Sequence, residues 1–520
     1  MITKTADKHL NDLAIIMAPG LDQVAIAKEN IEAGTRVDAQ GGGFEIKDYV
    51  RKGHRFAIQD ISSGEYLKQY GYPFARSKGI QKGQTVTTEN IENVVPDVSP
   101  KDFSAPAATP LKKEYKDKKF SGFARKDGRV GTRNYYLVVP TSMCVSEISL
   151  QVASSLDSDP ETLKNYKNID GIVAIPHTEG CGCDSTVQIE RFLRVIKGFV
   201  RHPNVGGCIL IDLGCEQTNY ERMNTYLKAT CEENLKPIDW ITVQKSGGTQ
   251  QTIEGAKKII LNRLKEVNAN ERKPFSISEL VVGTECGSSD SFSGITANPL
   301  IGNVADKVIF AGGKAILSEV PEMVGTFGML LNRFRSLDVA NRFQEKLKWY
   351  EELAARMGYT LQANLVPKNI SGGLINNYVK SLGAVMKGGT TAIEDIVEYG
   401  DTVTKKGLSI MQGPGSDLES MTGIAASGAT VMCFSTGNGT PTGSAICPII
   451  KISSNDSTFR NMREDMDFNA GRIISENISI DGLGNELLEK VIVVSSGEKT
   501  WSEKWKQRQF QVWTAGKLSL

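Results

Sequence analysis

The sequence predicts an α/β protein, with a small β-rich N-terminal unit followed by two α/β domains built on mainly parallel sheets. Three observations predict this. Residues 10–97 carry short strand-like runs separated by glycine and proline turns. Residues 98–119 lose all periodicity. From residue 120 onward, short apolar runs alternate with helical stretches, the pattern of strands covered on both faces by crossover helices. At 520 residues the chain can bury several substantial cores.

In the first unit, Val24-Ala-Ile-Ala27, Gly43-Phe-Glu-Ile46 and Arg55-Phe-Ala-Ile58 read as strands, punctuated by Pro19-Gly20, Gly34 and Gly53. The segment 98–119 mixes prolines, alanines and both charges, and reads as a linker long enough to let the first domain sit over another. In the domain over 120–273, the runs 135–139, 172–175 and 208–211 are short enough for buried strands, with helices expected over 186–199 and 220–233. The domain over 274–520 repeats the alternation. Leu280-Val-Val282, Lys314-Ala-Ile-Leu317 and Val431-Met-Cys-Phe434 are its clearest strands, and it is expected to be catalytic. Parallel sheets of this kind gather their ligands on the loops after the strand C-terminal ends.

Charge narrows the function classes. Lys+Arg 61 against Asp+Glu 60 leaves +1, too even a balance to attract nucleic acid or an anionic membrane. The N-terminus lacks the apolar core and cleavage site of a signal peptide. No run approaches the ~18 apolar residues that span a bilayer. A cytoplasmic protein is therefore expected. Nine cysteines, an odd number spread over a long chain, read as free thiols or metal ligands.

The chemistry-bearing residues follow the strands. Gly283-Thr-Glu-Cys-Gly-Ser-Ser-Asp290 sets a thiol between two acids in a glycine-rich turn, poor material for a core. Cys144 follows the first strand of the middle domain, His177 and Cys181 the second, and Cys215 the third. This predicts one site assembled from several loops, with Cys144, Cys181, Cys215 and Cys286 around a shared metal centre. Cys208, Cys433 and Cys447, in apolar runs, are expected in the core. The spacing is not that of C-x-x-C pairs, which argues against a structural zinc finger. Thiolates with imidazole and carboxylate suit iron or another borderline metal, and the same thiols would suit an iron–sulfur cluster. Of four histidines, His9 lies in a tail and His202 in a surface-like turn. His54, presented by a glycine-led turn, and His177 remain as acid–base or ligand imidazoles. The loops Gln412-Gly-Pro-Gly-Ser-Asp417 and Thr436-Gly-Asn-Gly-Thr-Pro-Thr-Gly443 match neither nucleotide fingerprint. They read as plain turns, or as loops that hold the hydroxyls and carboxylate of a sugar acid. Without a G-x-S-x-G elbow, an esterase of the α/β-hydrolase type is disfavoured.

Several of these segments resemble one family. Lys126-Asp-Gly-Arg-Val-Gly-Thr-Arg-Asn134, the stretch from His177 to Cys181, and Leu213-Gly-Cys-Glu216 resemble the altronate/galactarate dehydratases. So do the run from Glu285 to Pro299, Ser318-Glu-Val-Pro-Glu322, and Phe434-Ser-Thr-Gly-Asn-Gly-Thr-Pro441. The first domain, with Gly53-His54 and Tyr70-Gly71, is similar to the β-clip SAF domain found at the N-terminus of that family.

The resemblance covers nearly the whole chain. It implies dehydration of a hexonate or hexarate to a 2-keto-3-deoxy sugar acid, with a need for Fe2+ (or Mn2+). His54, His177, Glu285 and Glu319 are the catalytic candidates. Arg133, Asn134, Asp290, Thr296, Asn298, Thr436 and Thr440 are the substrate-binding candidates, and a homodimer is expected. Two departures bear on the substrate. Asn438 stands where the family pattern has arginine, and Pro367-Lys-Asn-Ile-Ser-Gly-Gly373 replaces Pro-Gly-Asn-Lys before a Gly-Gly pair. Arg201-His-Pro-Asn204 and Glu319-Val-Pro-Glu322 look closer to the altronate branch, so D-altronate, giving 2-dehydro-3-deoxy-D-gluconate, is the expected substrate. Galactarate dehydration and sulfite expulsion by a sulfo-lyase are the alternatives within the family. A sugar-acid sensor would need an output module, and none is legible. A redox enzyme is disfavoured by the missing dinucleotide fingerprint.

Overall fold

The computed structural model describes residues 8–39, 42–181, 186–230 and 235–515. Short strands in the first domain build three small three-stranded sheets. Their shortness follows from the turn glycines that interrupt them every few residues. One apolar cluster inside this domain is made by Leu10, Ala25, Val37, Ile46 and Phe56. A second joins Val24, Leu67 and Phe74 to Leu374, Ile375, Val379 and Leu382 of the third domain. The first domain is thus packed onto the third through a shared core.

The segment 98–119, read as a linker long enough to let the first domain sit over another, is laid along the third domain. Ser104 N donates to Asn332 Oδ1 at 2.8 Å, and Lys112 N to Phe310 O at 2.8 Å. Its polar composition is that of a tether, but its backbone groups find partners on a neighbouring surface. Lys119–Ala124 then pairs antiparallel with Arg272–Ser276, so the chain enters and leaves the middle domain side by side.

The middle domain carries β1 (Tyr135–Pro140), β2 (Gly171–Ala174), β3 (Val205–Asp212) and β4 (Ile238–Thr242). They form one parallel sheet in the order β2-β1-β3-β4. Its helices are α1 (Ser146–Asp157), α2 (Thr186–Val200), α3 (Tyr220–Thr230) and α4 (Thr249–Asn268). β1 and β3 are buried throughout, which is why they read as unbroken apolar runs. α1 and α4 cover one face through Val152, Ile260 and Leu264. The predicted helix over 220–233 runs past the described residues, which resume at 235.

The third domain carries β5 (Val281–Gly287), β6 (Lys314–Leu317), β7 (Ile393–Val397), β8 (Gly407–Met411), β9 (Val431–Thr436), β10 (Ile449–Ser453) and β11 (Phe468–Asn469). All are parallel, in the order β7-β8-β6-β5-β9-β10-β11. Its main helices are α5 (Ala297–Phe310), α6 (Leu337–Arg356), α7 (Asn377–Val385), α8 (Asp417–Ala426) and α9 (Ile480–Ser495). From β5 the chain moves to β6 on one side, and after β8 it returns to β9 on the other. The end of β5 is therefore a topological switch, where such sheets open a crevice.

The two α/β domains share a core that runs from Leu137 and Phe192 to Ile316, Tyr399 and Phe434. His202 belongs to this join and not to the surface. It is fully buried, its Nδ1 accepts from Asn204 N at 3.0 Å, and its Nε2 lies 3.0 Å from Ala429 O. Cys208, Cys433 and Cys447 are buried, as their apolar runs implied. Among the described residues no helix is long and apolar enough to cross a membrane.

Candidate active site

The switch end of β5 carries Cys286, and the turn after β6 brings two acids to it. Glu319 adopts a left-handed backbone, φ +67°, a conformation a non-glycine residue holds only when its surroundings impose it. The 3-10 turn Val320–Met323 then folds Glu322 back. Cys286 Sγ lies 3.8 Å from Glu319 Oε1 and 3.6 Å from Glu322 Oε2, and Cys286 N donates to Glu319 Oε2 at 3.3 Å. Two lysines complete the cluster from α7 and the turn that follows it. Lys387 Nζ sits 2.8 Å from Cys286 Sγ and also contacts the Glu319 carboxylate. Lys380 Nζ donates to Glu322 Oε1 at 2.8 Å. Alongside, Glu285 Oε2 accepts from the Ser420 hydroxyl at 2.7 Å, while its Oε1 is buried with no partner.

Four carboxyl groups (Glu285, Glu319, Glu322 and Asp417) therefore face two ammonium groups in a dry setting. Burial, and then the charge of Glu319, push Glu285 far above the usual carboxylate range. Burial raises Glu319 to about 7, with Lys387 pulling the other way. Asp417 is pushed up to about 6 by burial and by Glu322. Burial, and then Glu319, hold Cys286 as a thiol. Lys387 is disfavoured as a cation by burial, but Cys286, Glu319, Glu285 and Glu322 outweigh that and keep it charged. At neutral pH the site holds a fixed ammonium, a neutral carboxylic acid and a carboxylate close to its midpoint. Such a mixture is the mark of an acid–base site.

The donor atoms of Cys286, Glu319 and Glu322 all lie within 4.8 Å of one another, a spacing that would suit a cation. The place between two of them is taken by Lys387 Nζ. A divalent ion would have to share it with a like charge, so these residues do not fit a metal beside Lys387. Cys286, expected from the sequence as a metal ligand, has Lys387 Nζ 2.8 Å from its sulfur.

The first domain closes the site from above. Arg55 and Gln69 line a cavity with Cys286, Asp290, Asn298 and Glu322. Arg55 is 1% exposed; it donates to Gln69 Oε1 at 2.8 Å and to Gly373 O at 2.6 Å across the seam. Gly53 makes the approach possible. Its φ is +82°, and a Cβ there would lie 3.0 Å from Gly372 O. His54 follows it, half-buried, with Nε2 3.2 Å from Ser371 O. Burial keeps its imidazole more neutral than usual.

The other predicted residues divide sharply. Arg133 is not at the substrate site. It is fully buried, forks onto Glu503 at 2.7 and 2.8 Å, and caps the carbonyls of Val494 and Glu498. Asn134 is likewise structural, bonding Asn168 O at 2.7 Å and Val267 O at 3.0 Å. His177 packs edge-on against Phe192, with Nε2 2.8 Å from Pro140 O and Nδ1 accepting from Glu179 N, and so braces a loop of the middle domain. Asp290 orders its own loop through Ser293, Ser454 and Asn455 and also lines the cavity, as does Asn298. Thr296 bonds Phe292 O and Ser454 O, while Thr436 and Thr440 spend their hydroxyls within their own loop.

Cys144, Cys181 and Cys215 come together after β1, β2 and β3. The groups acting on Cys286 are instead Glu319, Lys387 and Glu322. The expected single centre of four thiols is thus two places, because Cys144, Cys181 and Cys215 follow strands of the middle sheet while Cys286, expected in a loop, lies within β5 of the other sheet. Lys380, Lys387 and Arg55 were missed. For the two lysines the sequence signal is charge within otherwise small or apolar runs, whereas Arg55 follows Arg51, Lys52 and His54.

Comparison with known proteins agrees with this architecture. The Altronate/galactarate dehydratase SAF domain matches residues 13–94. The D-galactarate dehydratase/Altronate hydrolase second domain matches 122–268, and the D-galactarate/Altronate dehydratase C-terminal domain matches 277–518. Galactarate dehydratase (L-threo-forming) of Escherichia coli (strain K12) is 32% identical over 93% of this chain and 93% of its own. This chain belongs to the altronate/galactarate dehydratase family. Altronate dehydratase of Bacillus subtilis (strain 168) is 29% identical over 95% of this chain and 97% of its own. The (2R)-sulfolactate sulfo-lyase subunit beta of Chromohalobacter salexigens is 30% identical over 76% of this chain and 97% of its own. Within this family of sugar-acid dehydratases the chain is an enzyme, a carbon–oxygen lyase.

Proposed function

We propose that the protein dehydrates D-altronate to 2-dehydro-3-deoxy-D-gluconate. The observation that carries this reading is the buried Glu319–Lys387 pair at the switch end of β5, with neutral Glu285 beside it. A proton α to a carboxylate leaves only if the enediolate that forms is stabilised. Glu319, at about 7, is a base matched to neutral pH. Lys387 stays charged and meets the developing negative charge without having to reorganise. Glu285, held neutral, is the acid for the departing 3-hydroxyl. The C2–H and C3–O bonds break, the C2–H electron pair forms the C2=C3 bond, and water leaves. The resulting enol takes a proton at C3 and becomes the keto acid. Iron, which the family resemblance implies, has no place beside Lys387, and none of these steps runs through it.

The charge of the site favours one substrate carboxylate over two. Asn438 is neutral where the family pattern has arginine, and its amide is held by Ser288 O at 2.9 Å. The loop so offers no guanidinium for the far carboxylate of a hexarate. The relatives leave galactarate as the second reading, since identity to the galactarate enzyme is as high as to the altronate enzyme. A kcat/KM comparison on the two acids, following 2-keto-3-deoxy product, separates them. We expect altronate to be preferred at least ~10-fold, the worth of ~1.4 kcal/mol from one charge-assisted contact. A preference for galactarate would exchange the substrate, and no turnover on any sugar acid would end the proposal.

A further inference from the structure

The first domain walls the pocket on one side, and that wall carries a cation that no step of the dehydration uses. Arg55 begins the strand Arg55–Ala57, which pairs antiparallel with Val24–Ala27. Alternation along the strand turns Phe56 into the first domain's own core and Ala57 into the cluster shared with the third domain. Arg55 lies on the same side as Ala57. Its guanidinium therefore crosses the seam, where Nη1 donates to Gly373 O at 2.6 Å and to the Ser291 hydroxyl at 3.4 Å.

The side chain is held from behind. Nε donates to Gln69 Oε1 at 2.8 Å, and Gln69, 1% exposed, ends the strand Tyr66–Gln69. The chain then turns through Tyr70 and Gly71, with φ of +58° and +76°. Their N–H groups donate to the Asp22 carboxylate at 3.2 and 2.7 Å, which fixes the turn. The Tyr70 hydroxyl donates across the seam to the carbonyl of Gly294, another residue of the cavity wall.

What Arg55 lacks is a counter-charge. Its three bonds end on an amide, a carbonyl and a hydroxyl, and among the described residues none accepts from Nη2. Burial pulls its pKa down to about 10, opposed by the Tyr70 phenol, and no carboxylate helps. It is still a cation at neutral pH, and a buried cation costs free energy until an anion meets it. Arg133 shows the contrast. It is buried as deeply but forks onto Glu503 at 2.7 and 2.8 Å, as a structural arginine does.

We propose that Arg55 is the anchor for the substrate carboxylate, so that the first domain receives the acid end of the hexonate opposite the groups that remove its proton. The proposal deepens the sugar-acid reading above and rests on it. A guanidinium presents a planar fork that matches a carboxylate, and one guanidinium suits an acid with one charged end. The cavity that Arg55 shares with Cys286 and Glu322 measures about 10 Å³, room for roughly one water. An entering hexonate has to part the seam, and on Arg55 it exchanges the neutral Gly373 carbonyl for a charged acceptor.

The test removes charge from the protein and from the ligand separately. Binding of D-altronate and of its uncharged amide, D-altronamide, is measured by calorimetry on the full chain carrying Glu319→Gln, a change that removes the base and leaves the acid unconverted. The acid should bind at least ~30-fold tighter than the amide, the lower end for one buried charged pair. Adding Arg55→Gln should cut that ratio at least ~10-fold by weakening the acid and sparing the amide. Arg55→Lys keeps a cation without the fork and should give an intermediate ratio, which decides the matter if the glutamine variant does not fold by circular dichroism. An unchanged ratio in either variant, a loss shared equally by acid and amide, or no preference for the acid before Arg55 is altered would each overturn the anchor and leave Arg55 a seam residue. Turnover is not read. Acid bound through Arg55 but never converted by the unsubstituted chain would end the dehydration reading and leave the anchor standing.

Discussion

Lys387 is 1% exposed and touches both Cys286 and Glu319, so the protonation of the pocket turns on it. The groups facing Glu319 are Lys387, Glu322, Asp417, Glu285 and Cys286 on four separate segments, with Lys380 behind Glu322. Protonated Glu319 cannot take a proton, so kcat should fall as pH drops through about 7. Lys387→Met should lower kcat at least ~100-fold, the scale of losing one preorganised electrostatic partner. It should also move that acidic limb to higher pH, because the ammonium that favours the carboxylate is gone. A kcat profile over pH reads both, and a limb that stays in place in the variant would take the base role from Glu319. Glu285, Cys286 and Glu319 were legible because glycine and strand ends surround them. Lys380 and Lys387 were not, since a lysine in sequence gives no sign that it points inward, and most do not. Arg133 misled for a related reason, as a buried helix-capping arginine and a substrate clamp look alike in a motif.

Elements were legible where burial is complete. The apolar runs that became β1, β3, β5 and β9 stood out, whereas β4, half-buried and broken by Asp239, did not. The docked course of 98–119 was hidden because its composition is the same whether tethered or free. Two short elements carry predictions. The turn Gly53-His54-Arg55 seats the first domain, and its imidazole neighbours the arginine that lines the cavity. His54→Ala should lower turnover at least ~100-fold with an unchanged circular dichroism spectrum; near-normal turnover would leave His54 a docking residue. The short helix Trp501–Lys504 supplies Glu503, which holds Arg133 in the middle domain. Burial raises the Glu503 carboxyl, but Arg133 and the hydrogen bonds of Thr500 and Tyr135 outweigh it and hold it below the ordinary 4.5. A depressed carboxyl stabilises the fold above its ordinary value, and that contribution is lost as pH falls through its folded value. Glu503→Gln should cost about 3–5 kcal/mol at neutral pH by leaving Arg133 buried without its counter-charge. Denaturant unfolding at pH 7 and at pH 4 should show the gap between the two proteins narrowing in acid. A gap independent of pH would assign the loss to packing.

At the scale of the molecule, the order of three domains could be read from periodicity and turn chemistry, but their mutual seating could not. Shared apolar clusters join the first domain to the third and the third to the second. Those contacts connect residues hundreds of positions apart, which no local pattern encodes. For the same reason Cys144, Cys181 and Cys215, each placed after a strand, and Cys286, which lies within β5 and not in a loop after it, were assigned to one centre when two sheets separate them. The pocket itself depends on this seating, because Arg55 and Gln69 form one wall and Cys286 and Glu322 another. The most direct test of dehydration at that pocket is turnover of D-altronate by the full chain in D2O, with the product analysed by NMR and mass spectrometry. The predicted product is 2-dehydro-3-deoxy-D-gluconate carrying one solvent-derived deuterium at C3, with its formation at least ~100-fold slower in Lys387→Met and Glu319→Gln. No 2-keto acid from altronate, or equal product from both variants, would contradict the account.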